Sequence, residues 1–460
     1  MSWRHLPVVP HPRVAAGVTS GTAARHAGAA VPGPRPEDVA VDVASRLADP
    51  GTLAAAIDAA RSQTTLPRGV QWRDHAVAAG YAGTALLFAA VDLCRPAQGW
   101  DRAGHRHLAV ACDAAMAAPS LDSSLFGGLA GVGYAAVHLA AGRERYTRLL
   151  TSLDGVLLPS VRRAAARLDA LEGGGVGAFD LISGLTGVGV YLLARQGDTD
   201  ADATLRLVLG ALTRLLSNED EPRRWHTPAG LVAGPMGEAY PHGNHNCGMA
   251  HGLPGPLALL SIAASEGVRV DGIDAAIDTA ARWLVEHRLE LPSGPDWPNA
   301  VGLPGPDGEA AEPAVPGRAA WCYGAPGVAR ALWLAGTALA DSGYRDLAVR
   351  AMHAALARPP DRRGFTSPTF CHGLAGLVQI AARFARDTRS PELAASVDGL
   401  VAELLGAYEP ETLLGFRNVE PGGVRVDQPG LLDGAPGIAL TLLTAGADGE
   451  PAWDRLFLLS

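Results

Sequence analysis

The 460-residue sequence contains no lysine, and all 38 of its basic residues are arginine, a bias to which no mechanism attaches. Charged residues are also scarce, at 18%, while apolar residues reach 48% and the net charge is −9. That balance suits a large buried core with few solvated faces. No block of arginine stands out, which argues against nucleic acid as a partner, because phosphate binding needs concentrated positive charge. The acidity itself is too evenly spread to identify a basic partner. Five cysteines (Cys94, Cys112, Cys247, Cys322 and Cys371) in a chain this long do not form a disulfide framework. No stretch of about 18 uncharged apolar residues could cross a membrane. The early run "LPVVPHP" is too short and too broken by proline for a signal peptide. These absences imply a soluble cytoplasmic protein that does not cross a membrane. Residues 1–36, rich in Pro, Gly, Ala and His, read as a loose leader, and 37–460 as one folded body.

What the sequence does contain is a repeat. A G-x-x-G followed by an apolar run begins at Gly80, Gly128, Gly184, Gly252, Gly324, Gly373 and Gly434. Successive first glycines are 48, 56, 68, 72, 49 and 61 residues apart. Each run has the length of a helix; in "APGVARALWLAGTALADSG" (325–343), Pro326 falls in the first turn, where a missing N–H is harmless, and Ser342-Gly343 ends the run. The segments between are amphipathic. In 271–290, Ile273, Ile277, Ala280, Ala281 and Leu284 form one stripe, with Asp274, Asp278, Arg282 and Glu286 elsewhere. Each unit is therefore a pair, with one apolar helix inside and one half-polar helix outside. An open solenoid needs polar end caps, and the first and last repeats are no more polar than the rest. The expectation is an all-α fold, an α/α toroid of the α6/α6 or α7/α7 type with seven helix pairs. Each glycine would sit where several chains crowd toward a common axis. Strand signals are nearly absent, apart from a hairpin-like loop at 415–430.

Aligning the repeats puts the residues before each first glycine into one layer. One position before, they are Ala79, Gly127, Ser183, His251, Tyr323, His372 and Asp433. Two positions before, they are Ala78, Phe126, Ile182, Ala250, Cys322, Cys371 and Leu432. Chemistry-bearing residues concentrate in the later repeats, at one mouth of the ring. Cys322, Cys371 and His372 match the donor set of a catalytic zinc, with three protein ligands and one open position. The alternative is that both cysteines are small buried hydrophobes. Cys94 and Cys112 lie outside the layer and read as core. His242 and His245, in "PHGNHN", read as solvated loop residues, and Asp433 as an N-cap.

The motifs "WCYG", "CHG" and "GNHNCGMAHGLPG", in their positions, resemble those of the LanC-type lanthipeptide (lantibiotic) cyclases, and the resemblance covers roughly residues 70–445. It implies an α/α toroid with one Zn2+ per chain held by Cys322, Cys371 and His372. It also implies addition of cysteine thiols to dehydroalanine or dehydrobutyrine, giving thioether rings in antibiotic biosynthesis. By the same resemblance, His251 is an acid/base, and Asp180, Arg318 and Tyr323 belong to the active site. The substrate would be a ribosomal precursor peptide already dehydrated by a separate dehydratase. A biosynthetic complex of this kind can hold the protein near a membrane.

Physical chemistry is compatible with these roles. Thiolate addition to the β-carbon yields an enolate, which needs a stabiliser and a proton. His251 can take the thiol proton or deliver one to the enolate, and Arg318 can stabilise its charge. Asp180 can orient His251 or cap the helix that follows it. Tyr323 can donate a hydrogen bond or simply pack. Two other functions stay open at this point. One is a LanC-like enzyme that adds glutathione to dehydroamino acids in proteins. The other is a non-catalytic toroid that binds a leader peptide. Terpene cyclases and prenyltransferases share the architecture, but no aspartate-rich diphosphate motif is present.

Overall fold

The computed structural model describes residues 34–66, 71–118, 120, 122–170, 173–217, 225–232, 234–305, 313–444 and 452–460. The expected leader lies outside them except for 34–36, and Pro36 already opens the first helix. Helices α1 (Pro36–Ala48) and α2 (Pro50–Gln63) come first. Inner and outer helices then alternate: α3 (Tyr81–Cys94) and α4 (Trp100–Ala117), α5 (Leu129–Ala140) and α6 (Thr147–Asp169), α7 (Leu185–Leu193) and α8 (Thr199–Leu216). After a short α9 (Gly234–Ala239) follow α10 (Pro254–Ser265) and α11 (Ile273–Glu286), α12 (Ala325–Ala338) and α13 (Ser342–Leu356), α14 (Leu374–Thr388) and α15 (Pro391–Gly406), then α16 (Ala435–Thr444). Among the described residues, no helix is long and apolar enough to cross a membrane.

The helices that follow the repeated glycines are the inner ones. All nine residues of α7 are buried, as is α10 from Pro254 to Ala264. The intervening helices bury one stripe, and in α11 it contains the five residues read from the sequence. Each inner helix packs on the next: α3 on α5, then α7, α10, α12, α14 and α16, and α16 packs back on α3. The ring is therefore closed, of the α7/α7 kind. Its seventh outer helix is not the one after α16. It is α1, from the other end of the chain, which packs against both α16 and α3. Ser342-Gly343 does not end α12 as expected; Asp341 caps α13 there, accepting a hydrogen bond from the Tyr344 N–H.

The glycines are needed for a more local reason than crowding at the axis. A Cβ on the second glycine of a G-x-x-G would collide with the carbonyl oxygen six residues earlier. Gly83 faces Val77 in this way, Gly131 faces Leu125, Gly187 faces Leu181, Gly327 faces Trp321, Gly376 faces Phe370 and Gly437 faces Leu431. The loop before each inner helix thus folds back onto the first turn of its own helix. Gly324 also has φ +94°, which disfavours any side chain.

Residues 452–460 seal the ring inside. Phe457 stacks on Phe370 with ring centroids 3.9 Å apart and meets the edge of Trp321 at 5.0 Å. Trp321 Nε1 donates to the Phe457 carbonyl at 3.0 Å. Asp454 is buried and accepts from Arg383 and from Gln379. Trp321 and Phe370 immediately precede Cys322 and Cys371, so this aromatic packing braces the two cysteines from behind.

The loops contain more strand than the sequence suggested. Strands β1 (Thr227–Pro228), β2 (Gly243–Asn246) and β5 (Ala300–Gly302) form an antiparallel sheet in the order β1-β2-β5. Strands β3 (Leu289–Leu291) and β4 (Gly294–Asp296) pair with each other. The expected hairpin is present as β6 (Asn418–Val419) and β7 (Arg425–Val426). Strands of two to four residues are too short to show alternation. Truncating the brace should be costly. Phe457→Ala is expected to reduce unfolding free energy by about 3–5 kcal/mol, measurable by denaturant titration.

Candidate active site and metal centre

The layer read from the sequence is a physical one. Backbone hydrogen bonds run between the residues just before the first glycines of neighbouring repeats. Ala78 N–H donates to the Phe126 carbonyl at 2.9 Å, and Phe126 N–H to Ile182 at 3.4 Å. Leu181 N–H donates to Ala250 at 3.2 Å, Cys322 N–H to Cys371 at 3.2 Å, Cys371 N–H to Leu432 at 3.0 Å, and Leu432 N–H to Ala78 at 3.0 Å. At the junction between Ala250 and Cys322, Gly248 instead lies against the Cys322 carbonyl and the Tyr323 ring. The register forces neighbouring repeats to present their side chains side by side at one mouth.

The neighbouring Cys322 thiol, then burial, holds the Cys371 thiol well above its ordinary range, against the pull of Arg318. Donor atoms of Cys371, His372 and Asp433 lie within 4.8 Å of one another. Two adjacent, poorly hydrated thiols beside an imidazole are unfavourable as thiolates unless a cation compensates them. Sulfur, sulfur and nitrogen donors suit zinc. Cys371 and His372 therefore fit the metal implied by the motifs, while Cys322 lies outside the tight donor cluster.

Asp433 departs from its expected role. It lies one residue before the N-cap position of α16, and its Oδ1 faces His372 Nδ1 at 3.4 Å. Oδ1 is buried without a hydrogen-bond partner among the described residues. Burial raises the Asp433 carboxyl above the usual range, opposed by His372. Carboxylates commonly orient metal-binding imidazoles from this side. The signal for it was its place in the same column as His251 and His372.

A second group lies in the same layer. His251 Nδ1 and Asp180 Oδ2 are 2.6 Å apart, with Asp180 buried and the His251 side chain 38% exposed. Asp180 Oδ1 accepts from the Ser183 and Gly184 N–H groups at 2.7 and 2.8 Å. Of the two roles weighed for Asp180, the contact with His251 is made by Oδ2, while Oδ1 holds the turn ahead of α7 rather than capping the helix itself. A carboxylate can only accept, so the proton between the pair sits on His251 Nδ1, leaving Nε2 for exchange. Tyr323 receives a hydrogen bond from Asn246 Nδ2 at 3.1 Å. Burial pushes its hydroxyl pKa up, and the charges of Cys322, Cys371 and Asp180 all bear on it. Arg318 is half-buried at the same mouth, where its charge acts on Cys371 and Asp433.

Some expectations fail. His245 is not solvated; it is 6% exposed on β2, packed near Trp225 and Trp283. Cys94 is exposed at the end of α3, and Cys112 is half-buried rather than core. Asn246 was missed. Its Oδ1 accepts from Gly248 N–H at 2.9 Å, a turn that the Asn-x-Gly pattern could have suggested. Cys247 is fully buried, and burial pushes its thiol up to about 12, which makes it unreactive.

Comparisons with known proteins agree with this geometry. The profile of a family described as "Lanthionine synthetase C-like protein" matches residues 71–458. The nisin biosynthesis protein NisC of Lactococcus lactis subsp. lactis is 28% identical over 271 residues, 58% of this chain. The match spans 63% of that relative, under two thirds of its length. A solved structure titled "Nisin cyclase" superimposes with a TM-score of 0.72 and 23% identity, covering 88% of this chain and 97% of the other. That likeness establishes a shared fold.

The two roles of Asp180 can be separated. Asp180→Ala should lose about 1 kcal/mol of stability with the turn's acceptor. Asp180→Asn keeps an oxygen for the turn but presents an amide donor to His251. Nitrogen-15 NMR should then find the imidazole proton moved from Nδ1 to Nε2.

Proposed function

The chain belongs to the lanthionine synthetase C-like family, and we propose that it is a zinc-dependent lanthipeptide cyclase. Its substrate is a precursor peptide dehydrated beforehand by a separate dehydratase. It joins cysteine thiols to dehydroalanine or dehydrobutyrine as (methyl)lanthionine thioethers. One observation carries this reading. Cys371 beside His372, and the His251–Asp180 dyad, belong to the same layer of residues just before the inner helices, with Cys322 in that layer too.

Cys322, Cys371 and His372 would hold the metal. A free cysteine has a pKa of about 8.5 and is mostly protonated at neutral pH. Bound zinc supplies the Lewis acidity that favours the thiolate of a substrate cysteine. Addition then forms a carbon–sulfur bond at the β-carbon, and the π electrons pass to the carbonyl as an enolate. Arg318 offers that oxygen a permanent positive charge. Overall, one proton leaves the thiol and one arrives at the α-carbon. His251 can hold this proton at Nε2 in the interval, because Asp180 stabilises the imidazolium through Nδ1. Asp433 keeps the His372 ring in one orientation. Tyr323 is held in this layer by Asn246.

The test combines metal analysis with product analysis. Wild-type protein should contain close to one zinc per chain and convert a dehydrated peptide to a product of unchanged mass that no longer reacts with thiol reagents. Cys322→Ala and Cys371→Ala should lose zinc and cyclisation together. His251→Ala should keep zinc and slow ring formation by about 10²–10⁴-fold. Zinc-loaded wild type that leaves the peptide thiols free would sink the proposal.

A further inference from the structure

A cavity of about 300 Å3 lies beside the proposed metal donors, and His372 and Asp433 form part of its wall. Another part is apolar, where Ala60 and Trp72 are buried and Leu66 is 42% exposed. The polar part consists of acceptors, and most of them are occupied. Glu420 accepts from the Thr64 and Thr65 hydroxyls and from the Thr65 N–H. Asn418 Oδ1 accepts from Ser367 Oγ at 2.8 Å. One acceptor remains. Gln428 is only 7% exposed, and its Oε1 has no hydrogen-bond partner among the described residues, whereas Asp433 Oδ1 faces His372.

Buried acceptors are nearly always paired, so this one marks a place for a ligand that brings a hydrogen-bond donor. Arg61 in the wall and Arg318 nearby offset the carboxylates of Glu420 and Asp433, so the cavity does not demand a cation. A neutral donor next to an apolar surface is what a peptide offers, through a backbone N–H and an apolar side chain. The volume is at the small end for ligand pockets, suited to a short length of extended chain rather than a folded partner.

We infer that this cavity is the subsite for the peptide residue next to the reacting cysteine. Gln428 Oε1 accepts that residue's backbone N–H, and Ala60, Leu66 and Trp72 receive its apolar side chain. Gln428 is then a specificity residue that sets which peptide segment is held against the metal donors. The inference rests on the cyclase reading, because that reading supplies the peptide.

The test uses zinc-loaded full-length protein and a synthetic peptide with one cysteine and with alanine in place of the dehydroamino acid, so that binding is measured without reaction. A parallel series carries single N-methyl groups at the cysteine and at the residue on each side. Calorimetry on wild type should show one N-methylation weakening binding about tenfold, the effect of one hydrogen bond. Gln428→Leu should bind the parent peptide about tenfold more weakly and be indifferent to that same N-methylation, so the two losses do not add. Its Tm should equal or exceed that of wild type, because no internal hydrogen bond is lost. Unchanged peptide affinity in Gln428→Leu would mean that Oε1 serves only water and would overturn the inference. Additive losses, or a Tm several degrees lower, would overturn it too. If wild type cyclises a dehydrated peptide while Gln428→Leu behaves like wild type, only this subsite falls. If wild type neither binds nor cyclises any peptide, the cyclase reading falls and takes the subsite with it.

Discussion

Backbone hydrogen bonds that pass from repeat to repeat around one mouth of the ring set the position of every reactive side chain. Cys322 N–H reaches the carbonyl of Cys371, Cys371 N–H reaches Leu432, and Leu432 N–H reaches back to Ala78, from the first repeat. These groups lie where water has little access, and an unpaired buried amide is costly. Any slip of one repeat against the next would leave such groups orphaned. The same register places Cys322 beside Cys371 and turns Asp433 toward His372. The proposed metal site, which brings Cys322 to Cys371 and His372 from 49 and 50 positions away, thus depends on main-chain pairing that is blind to side-chain identity.

That pairing requires sharp corners and a firm backing. At the second glycine of each motif the loop returns onto its own helix so closely that even a methyl group would collide with a carbonyl. Behind the mouth, Phe457 packs between Trp321 and Phe370, the residues directly before the two cysteines. Preorganised donors of this kind lose little entropy when a cation or substrate arrives. The ring is sealed by α1 lying on α16, so the two ends of the folded region share one seam.

The chemistry-bearing groups are economical in their use of atoms. Asp180 gives one oxygen to the turn before α7 and the other to His251, which ties the orientation of the imidazole to the formation of a helix start. Asn246 does the same with its amide, closing a turn at Gly248 and holding Tyr323. Both residues couple local folding to the placement of a neighbour from another repeat.

Much of this was legible from sequence because a repeat is a long-range ruler. Seven G-x-x-G motifs placed the inner helices, and the column before each first glycine brought His251, Tyr323, Cys322, Cys371 and His372 into one layer. The buried stripe of α11 was equally plain, since helical period alone decides it. Other features had no local signature. That α1 is the missing seventh outer helix depends on ring closure. That His245 is buried depends on a four-residue strand. That Asp433 serves His372 rather than a helix end depends on which neighbour its carboxylate meets. Periodicity is a property of the chain and can be read along it; the partner of a single side chain is set by packing between segments far apart in sequence, and only the tertiary structure decides it.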